Sequence, residues 1–126
     1  MSDVDVLIVG GGPCGLAAAI SAQRGGLRAV VVESEVVVNT IAHYPTYVRF
    51  FSTAEKLGIG DLPFVIATEK PTRRDALAYY RAAVNHFGIS VRQYERVTEI
   101  ERGADELIVH SRTRGGLDRR TIAGAR

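Results

Sequence analysis

The feature that most constrains this chain is Gly10-Gly11-Gly12-Pro13-Cys14-Gly15, a G-x-G-x-x-G run set between two apolar segments. Alone, such a hexapeptide is weak, because glycine-rich turns are common; its surroundings decide the matter. Val4 to Val9 reads as a short strand buried on both faces of a parallel sheet. Pro13 stands where a first helical turn begins, and its missing N–H costs nothing there. Leu16, Ala17, Ala19, Ile20 and Ala22 then give a small-residue helix able to lie close on a sheet, ended by Gly25 and Gly26. Arg28 to Glu33 reads as a second buried parallel strand that finishes in a carboxylate, 18 residues past Gly15. Strand, glycine turn, helix, strand and acid make up a dinucleotide-binding fingerprint.

The spacing assigns each residue a task. Gly10 permits the sharp exit from the strand, Gly12 lets backbone approach a pyrophosphate, and Gly15 lets the helix lie against the strand. The helix N-terminus at Pro13 and Cys14 presents unpaired N–H groups to that anion. Glu33 is placed to accept hydrogen bonds from ribose hydroxyls of an adenosine without a 2′-phosphate. Three features favour FAD over NAD: the motif begins the chain, the connection over residues 34–71 is long enough to wrap a flavin, and an all-β segment follows the α/β part.

That connection holds Pro45, Pro63 and Pro71 and no sustained period, so ordered loop with short helical turns is expected, with a bound cofactor able to organise it. Thr72 caps a helix to about Phe87, with Asp75 in its first turn, Leu77, Tyr80, Val84 and Phe87 at helical spacing, and Gly88 as its stop. Strands are expected over 90–94, 97–101, 106–111 and 117–123, with turns at 103–105 and 114–116, which is a β-meander appended to an α/β unit.

Composition narrows the function classes. The 126 residues suffice for one domain and fall short of the two nucleotide-binding lobes of a flavin-nicotinamide enzyme. No apolar run has membrane-spanning length and no secretory signal pattern is seen, so the cytoplasm is the expected compartment. The net charge of +2 is concentrated in residues 112–126, which carry +4; this reads as the solvated edge of a terminal hairpin, and no basic face with interleaved aromatics suggests nucleic acid. Cys14 is the single cysteine, no Cys/His cluster has metal-ligand spacing, and no metal site is expected. His43, His86 and His110 lack a nucleophile partner in sequence and read as structural.

Longer runs carry a family resemblance. Val9-Gly10-Gly11-Gly12-Pro13-Cys14-Gly15-Leu16-Ala17-Ala18-Ala19-Ile20, Tyr44-Pro45-Thr46, Lys70-Pro71-Thr72-Arg73, and above all Phe50-Phe51-Ser52-Thr53-Ala54-Glu55-Lys56-Leu57-Gly58-Ile59-Gly60-Asp61 resemble the bacillithiol-disulfide reductase family of thioredoxin-reductase-like FAD enzymes. The resemblance covers nearly the whole chain and implies electron transfer from NADPH through FAD to an oxidised low-molecular-weight thiol. It further implies that Glu33 holds the adenosine ribose, that Asn39 and Thr40 meet the pyrophosphate or flavin side, and that the backbone at Val97 contacts adenine. Tyr44, Pro45, Thr46 and Phe51 would shape the flavin pocket, with loop packing as the alternative. Cys14 is the candidate redox residue: a helix N-terminus favours its thiolate while an adjacent pyrophosphate opposes it, and a small space-filling residue is the other reading. No C-x-x-C pair is present, so a dithiol mechanism does not operate within these residues.

The sequence departs from that family in two places. Members continue into a strand ending Ala-Thr-Gly that closes the FAD sheet, and then into a second glycine-motif lobe for NADPH; neither is found here. The expectation is an incomplete FAD-binding domain over residues 1–126 that does not turn over NADPH alone and whose first strand has an uncovered edge. Three alternatives stay open: a portion of a longer reductase, a non-catalytic FAD-binding module or subunit completed by a partner chain or a homo-oligomer, and a nonfunctional remnant.

Overall fold

The computed structural model describes residues 2–124; Arg126, counted above in the basic terminal stretch, lies outside the described residues with Met1 and Ala125. The valine run forms β2 (Ala29–Val32), with Val30, Val31 and Val32 all buried. It is the centre of a three-stranded parallel sheet. On one side lies β1 (Val6–Val9), in register from Val6 opposite Ala29 to Val9 opposite Val32. On the other lies β3 (Val91–Arg92), with Val91 opposite Val31.

Two expectations about these strands are corrected. β1 is not buried on both faces: Val6, Leu7 and Ile8 are half-buried and Val9 is 59% exposed. Among the described residues its outer edge has a bridge just before its start, where Val4 pairs with Ala123 in parallel, and Val9 at the far end is exposed. The strand expected over 90–94 shrinks to two residues, because Tyr94 takes a left-handed conformation (φ 56°) that turns the chain away, and the Gln93 side chain accepts from the Val37 N–H at 2.9 Å.

Helix α1 (Pro13–Arg24) connects β1 to β2, with Pro13 in its first turn. Leu16, Ala19, Ile20 and Ala22 turn inward; three of the four are small or unbranched at Cβ, which allows the close approach to the sheet. Helix α4 (Arg73–Phe87) begins in a capping box, in which the Asp75 N–H donates to Thr72 Oγ1 and the Asp75 carboxylate accepts from the Thr72 N–H at 2.9 Å. That backbone hydrogen bond, joined by the Thr72 hydroxyl, holds the Asp75 carboxyl below its ordinary value. Gly88, at φ 60°, ends the helix as expected.

Between these lie α2 (Asn39–Ala42) and α3 (Ala54–Leu57), two short turns of helix in otherwise irregular chain. The sequence allows a bound cofactor to organise this stretch; over 54–64 side chains of α4 supply part of the order. The Tyr79 hydroxyl accepts from the Ile59 N–H at 2.9 Å and donates to the Leu62 carbonyl at 2.6 Å. Tyr80 donates to the Leu57 carbonyl at 2.8 Å, and the Phe64 ring stacks on Tyr79 with centroids 4.2 Å apart. Burial pushes the Tyr80 hydroxyl up to about 12. Arg73 donates to the Ala42 carbonyl at 2.8 Å and so fixes the end of α2. These segments, α1, α4 and β2 share one core.

The last third is the expected antiparallel meander: β4 (Glu95–Arg102), β5 (Glu106–Thr113) and β6 (Asp118–Gly124), with a register shift between Val97 and Glu99. β4 starts two residues earlier than its expected bound because Glu95 is an anchor. Only 2% exposed, it accepts from the Ser111 hydroxyl at 2.8 Å and pairs with Arg92 at 3.6 Å and Arg119 at 3.4 Å. A buried carboxylate is tolerated only with such partners; the Arg92 pair joins the meander to the parallel sheet, while Ser111 and Arg119 tie Glu95 to β5 and β6. Among the described residues, no helix is long and apolar enough to cross a membrane.

Candidate functional site

The glycine turn is built by two positions where no other residue fits. Gly10 has φ 105°, a conformation open to glycine, and its N–H donates to the Val32 carbonyl at 2.9 Å, which holds the turn onto β2. At Gly15 an added Cβ would stand 2.0 Å from the Gly10 carbonyl oxygen, so helix and turn touch through backbone alone. Gly12 is different: a Cβ there would meet nothing within 4 Å and would project into open space. Gly12 is also the N-cap of α1, with no side-chain cap and no acidic residue in the first turn. The positive end of the helix therefore faces a space that no side chain of its own turn fills.

That space is a cleft of about 250 Å³ lined by Gly12, Pro13, Glu33, Ser34, Val38, Asn39, Thr40 and Ile41. Its wall is closed by a backbone hydrogen bond from the Val38 N–H to the Gly11 carbonyl at 2.8 Å, with Val38 in the left-handed region at φ 50°. Glu33 sits at the end of β2 and is 8% exposed. Its Oε1 accepts from the Gly11 N–H at 2.8 Å, and its Oε2 from the Glu35 N–H at 2.7 Å. Each carboxylate oxygen keeps a second lone pair for a hydroxyl donor. The donor set suits a nucleotide: uncapped N–H groups for a pyrophosphate and an oriented carboxylate for a ribose.

Of the residues singled out from sequence, Gly12, Pro13, Glu33, Asn39 and Thr40 line this one cleft. Gly10 and Gly15 shape its floor from behind. Cys14 is exposed on the first turn of α1 and does not line the cleft. Thr46 is exposed in a turn closed by the Val48 N–H on the Pro45 carbonyl at 3.1 Å and is not among the lining residues. In the same loop Tyr44 packs against Phe50, and Phe51 is 96% exposed. Val97 is half-buried on β4 opposite Ser111, beside the register shift. A second cleft, about 310 Å³, is lined by Ser34, Glu35, Tyr94 and the residues flanking Val97, and shares Ser34 with the first. Of the histidines, His43 bonds the Asn39 carbonyl, His86 packs edge-on to Phe87, and His110 pairs with Glu101. Glu99 approaches that last pair on an exposed strand face, far in sequence from the cleft.

Sequence reasoning missed Gly11, whose N–H orients the carboxylate of Glu33, although it lies inside the motif. Ser34, Val38 and Ile41 were missed for want of any signal beyond adjacency to Glu33 and Asn39.

Residues 7–120 match the profile of the pyridine nucleotide-disulphide oxidoreductases. The chain belongs to that family. Over 78 residues, 62% of this chain, it is 53% identical to the bacilliredoxin reductase Bdr of Bacillus subtilis (strain 168), and the match covers 24% of that protein. The fold superposes on the bacillithiol disulfide reductase of Bacillus cereus with a TM-score of 0.93 and 44% identity, covering 95% of this chain and 37% of that one. A flavin-containing monooxygenase from Stenotrophomonas maltophilia gives a TM-score of 0.86 at 28% identity, over 98% of this chain and 37% of that one. The family member described here thus spans well under half the length of these relatives. The resemblance read from the glycine and Phe-Phe-Ser-Thr runs agrees with these matches.

Proposed function

We propose that this chain is the FAD-binding portion of an NADPH-linked flavin disulfide reductase whose substrate is an oxidised low-molecular-weight thiol such as bacillithiol disulfide. The observation that carries the reading is the cleft in which an uncapped α1 N-terminus and the oriented Glu33 carboxylate face each other across Gly12. Similarity to two solved structures named bacillithiol disulfide reductase supports the substrate class. Bound FAD would supply two-electron chemistry between a hydride donor and a disulfide. In this reading the residues of the chain bind and orient. The first-turn N–H groups of α1 neutralise the pyrophosphate, Gly12 admits it to contact distance, and Glu33 accepts from ribose hydroxyls. Asn39 and Thr40 present polar side chains to the same cleft, and Thr46 and the backbone at Val97 contact the cofactor at its two ends. Cys14, within one turn of the pyrophosphate, is the candidate thiol for a redox role. The nicotinamide-binding lobe is proposed to lie outside residues 1–126, and the setting to be a reducing cytoplasm where an exposed thiol stays free.

A second reading, an FAD-holding module completed by a partner, is favoured by the exposed Val9 on the outer edge of β1. One experiment tests both. The chain is mixed with equimolar FAD and desalted, its visible spectrum is recorded, and NADPH is added. Retained flavin that NADPH leaves unbleached is expected, with weaker retention in Glu33→Gln. Loss of all flavin on desalting overturns the proposal, and bleaching by NADPH overturns the placement of the nicotinamide lobe elsewhere.

A further inference from the structure

The meander reaches the cleft by more than one route: the Glu95 N–H donates to the Glu33 carbonyl at 3.0 Å, and a separate chain of contacts toward the Glu33 carboxylate begins on an arginine. Arg114, in the turn after β5, pairs with the Glu35 carboxylate and stands over the Tyr94 ring with its guanidinium carbon 4.1 Å from the centroid. The backbones repeat the connection: the Arg114 N–H donates to the Tyr94 carbonyl at 2.8 Å, and the Tyr94 N–H to the Glu35 carbonyl at 3.0 Å. Glu35 in turn gives its own N–H to Glu33 Oε2 at 2.7 Å. The other Glu33 oxygen is held by Gly11. Half of what orients the Glu33 carboxylate therefore depends on where Glu35 sits, and Glu35 is tied on its outer side by Arg114.

We infer that Arg114 is a positioning residue for the nucleotide: acting through Glu35, it fixes the Glu33 carboxylate in the rotamer that meets the ribose. This rests on the proposed FAD site. The geometry separates it from a general role in holding the meander, because Arg92 of the parallel sheet already pairs with the buried Glu95 and donates to Thr121 Oγ1 at 2.8 Å, and the Glu95 N–H bonds the Glu33 carbonyl. A planar guanidinium suits the position, since it can stack on Tyr94 and bond Glu35 at once; a lysine ammonium does only the second.

The test is an FAD titration of the wild-type chain, Arg114→Gln, Arg114→Lys, the charge swap of Arg114→Glu with Glu35→Arg, and Arg120→Gln. Arg120 lies on β6 opposite His110 and removes the same charge away from the cleft. The Kd of Arg114→Gln is expected to rise about three- to fivefold, the ceiling for an exposed ion pair. Arg120→Gln should match wild type, Arg114→Lys should fall between, and the swap should recover most of the loss. At about 1 M salt, where screening acts within roughly 3 Å, the ratio of Arg114→Gln to wild type should approach one; a merely structural loosening would leave that ratio unchanged. Equal binding by wild type and Arg114→Gln overturns the inference and leaves the FAD site standing, as does a ratio indifferent to salt together with a swap that restores nothing. The swap keeps the test decisive if glutamine loosens the fold. A wild-type chain that binds no FAD overturns the site and this inference together.

Discussion

Between residues 6 and 33 the strands pair through backbone, while between 34 and 72 the short helical turns are tied down at a few backbone groups by side chains from α4. In the first region β1 and β2 run in register and Gly15 touches the Gly10 carbonyl with no side chain between them. In the second, two tyrosine hydroxyls and one guanidinium from α4 take the carbonyls and N–H groups that α2 and α3 leave over. The first mode depends on the absence of atoms and tolerates no addition. The second depends on a few polar atoms at the ends of long side chains, and removing or ionising one of them should release a loop while leaving the sheet in place.

The largest effect should come from adding atoms to the first region. Gly15→Val drives a Cβ to within 2.0 Å of backbone that cannot move without breaking the Gly10 to Val32 hydrogen bond. Overpacking of this kind costs about 3 kcal/mol or more, read as a large fall in the urea midpoint or as insoluble protein. A midpoint close to wild type would mean that α1 can lift away from the sheet, and the contrast between the two regions would fail.

Next in size is the alkaline limb of the second region. Burial raises the Tyr80 hydroxyl from 10.0 to about 12. A folded-state value above the unfolded one means stability that is fully present below pH 10 and lost as pH rises toward and through 12. The span amounts to at most about 2 to 3 kcal/mol. The measurement is stability from pH 9 to 12 in wild type and Tyr80→Phe, which has no proton to lose. The difference between them should shrink across that window, and parallel curves would show that Tyr80 is hydrated in the folded state.

What the sequence revealed divides along the same line. The βαβ unit, the Thr72 cap and the Gly88 stop were legible because their signals are local: a glycine spacing, a cap residue with its acid three positions on, an apolar run. Of the cleft residues, Glu33 was within reach because it ends a strand at the expected spacing from the glycines, whereas Asn39 and Thr40 came only through the family resemblance. The tyrosine anchors were not legible. Tyr79 and Tyr80 read as helix positions, and nothing nearby says that their hydroxyls end on Ile59, Leu62 and Leu57. The Arg114 to Glu35 pair spans 79 residues and was read as a solvated charge in a terminal edge. Exposure of Val9 was hidden for the same reason, since an apolar run shows that a strand exists and not how many neighbours it has.

Tyr79→Phe tests an anchor without ionisation. It keeps the stack on Phe64 and deletes the hydroxyl that serves both Ile59 and Leu62. A cost of about 1 to 2 kcal/mol is expected, because two backbone groups lose a partner at once. Limited proteolysis should show faster cleavage over residues 58–64 with unchanged hydrogen exchange in β2. Equal slowing or quickening of both would mean that the loop and the sheet open as one unit.

The smallest effect sharpens the comparison from inside α4 itself, the element on which the second region hangs. Asp75 and Thr72 cap its first turn reciprocally, and loss of such a cap in Asp75→Ala costs about 1 kcal/mol. The Thr72 N–H and hydroxyl hold the Asp75 carboxyl below its ordinary 3.8. Stabilisation of that sign is present above pH 3.8 and is lost as pH falls through the lower folded-state value. Wild type and Asp75→Ala should therefore differ at neutral pH and converge in acid. Arg73 is the first residue of the same turn and holds the Ala42 carbonyl at the end of α2. If fraying of the cap propagates, Asp75→Ala will loosen α2 and with it the Asn39 and Thr40 wall of the cleft, which hydrogen exchange at residues 39–43 reads directly. Unchanged exchange there would place the boundary between the two regions inside α4, beyond its first turn, and would leave the cleft dependent on the glycine turn alone.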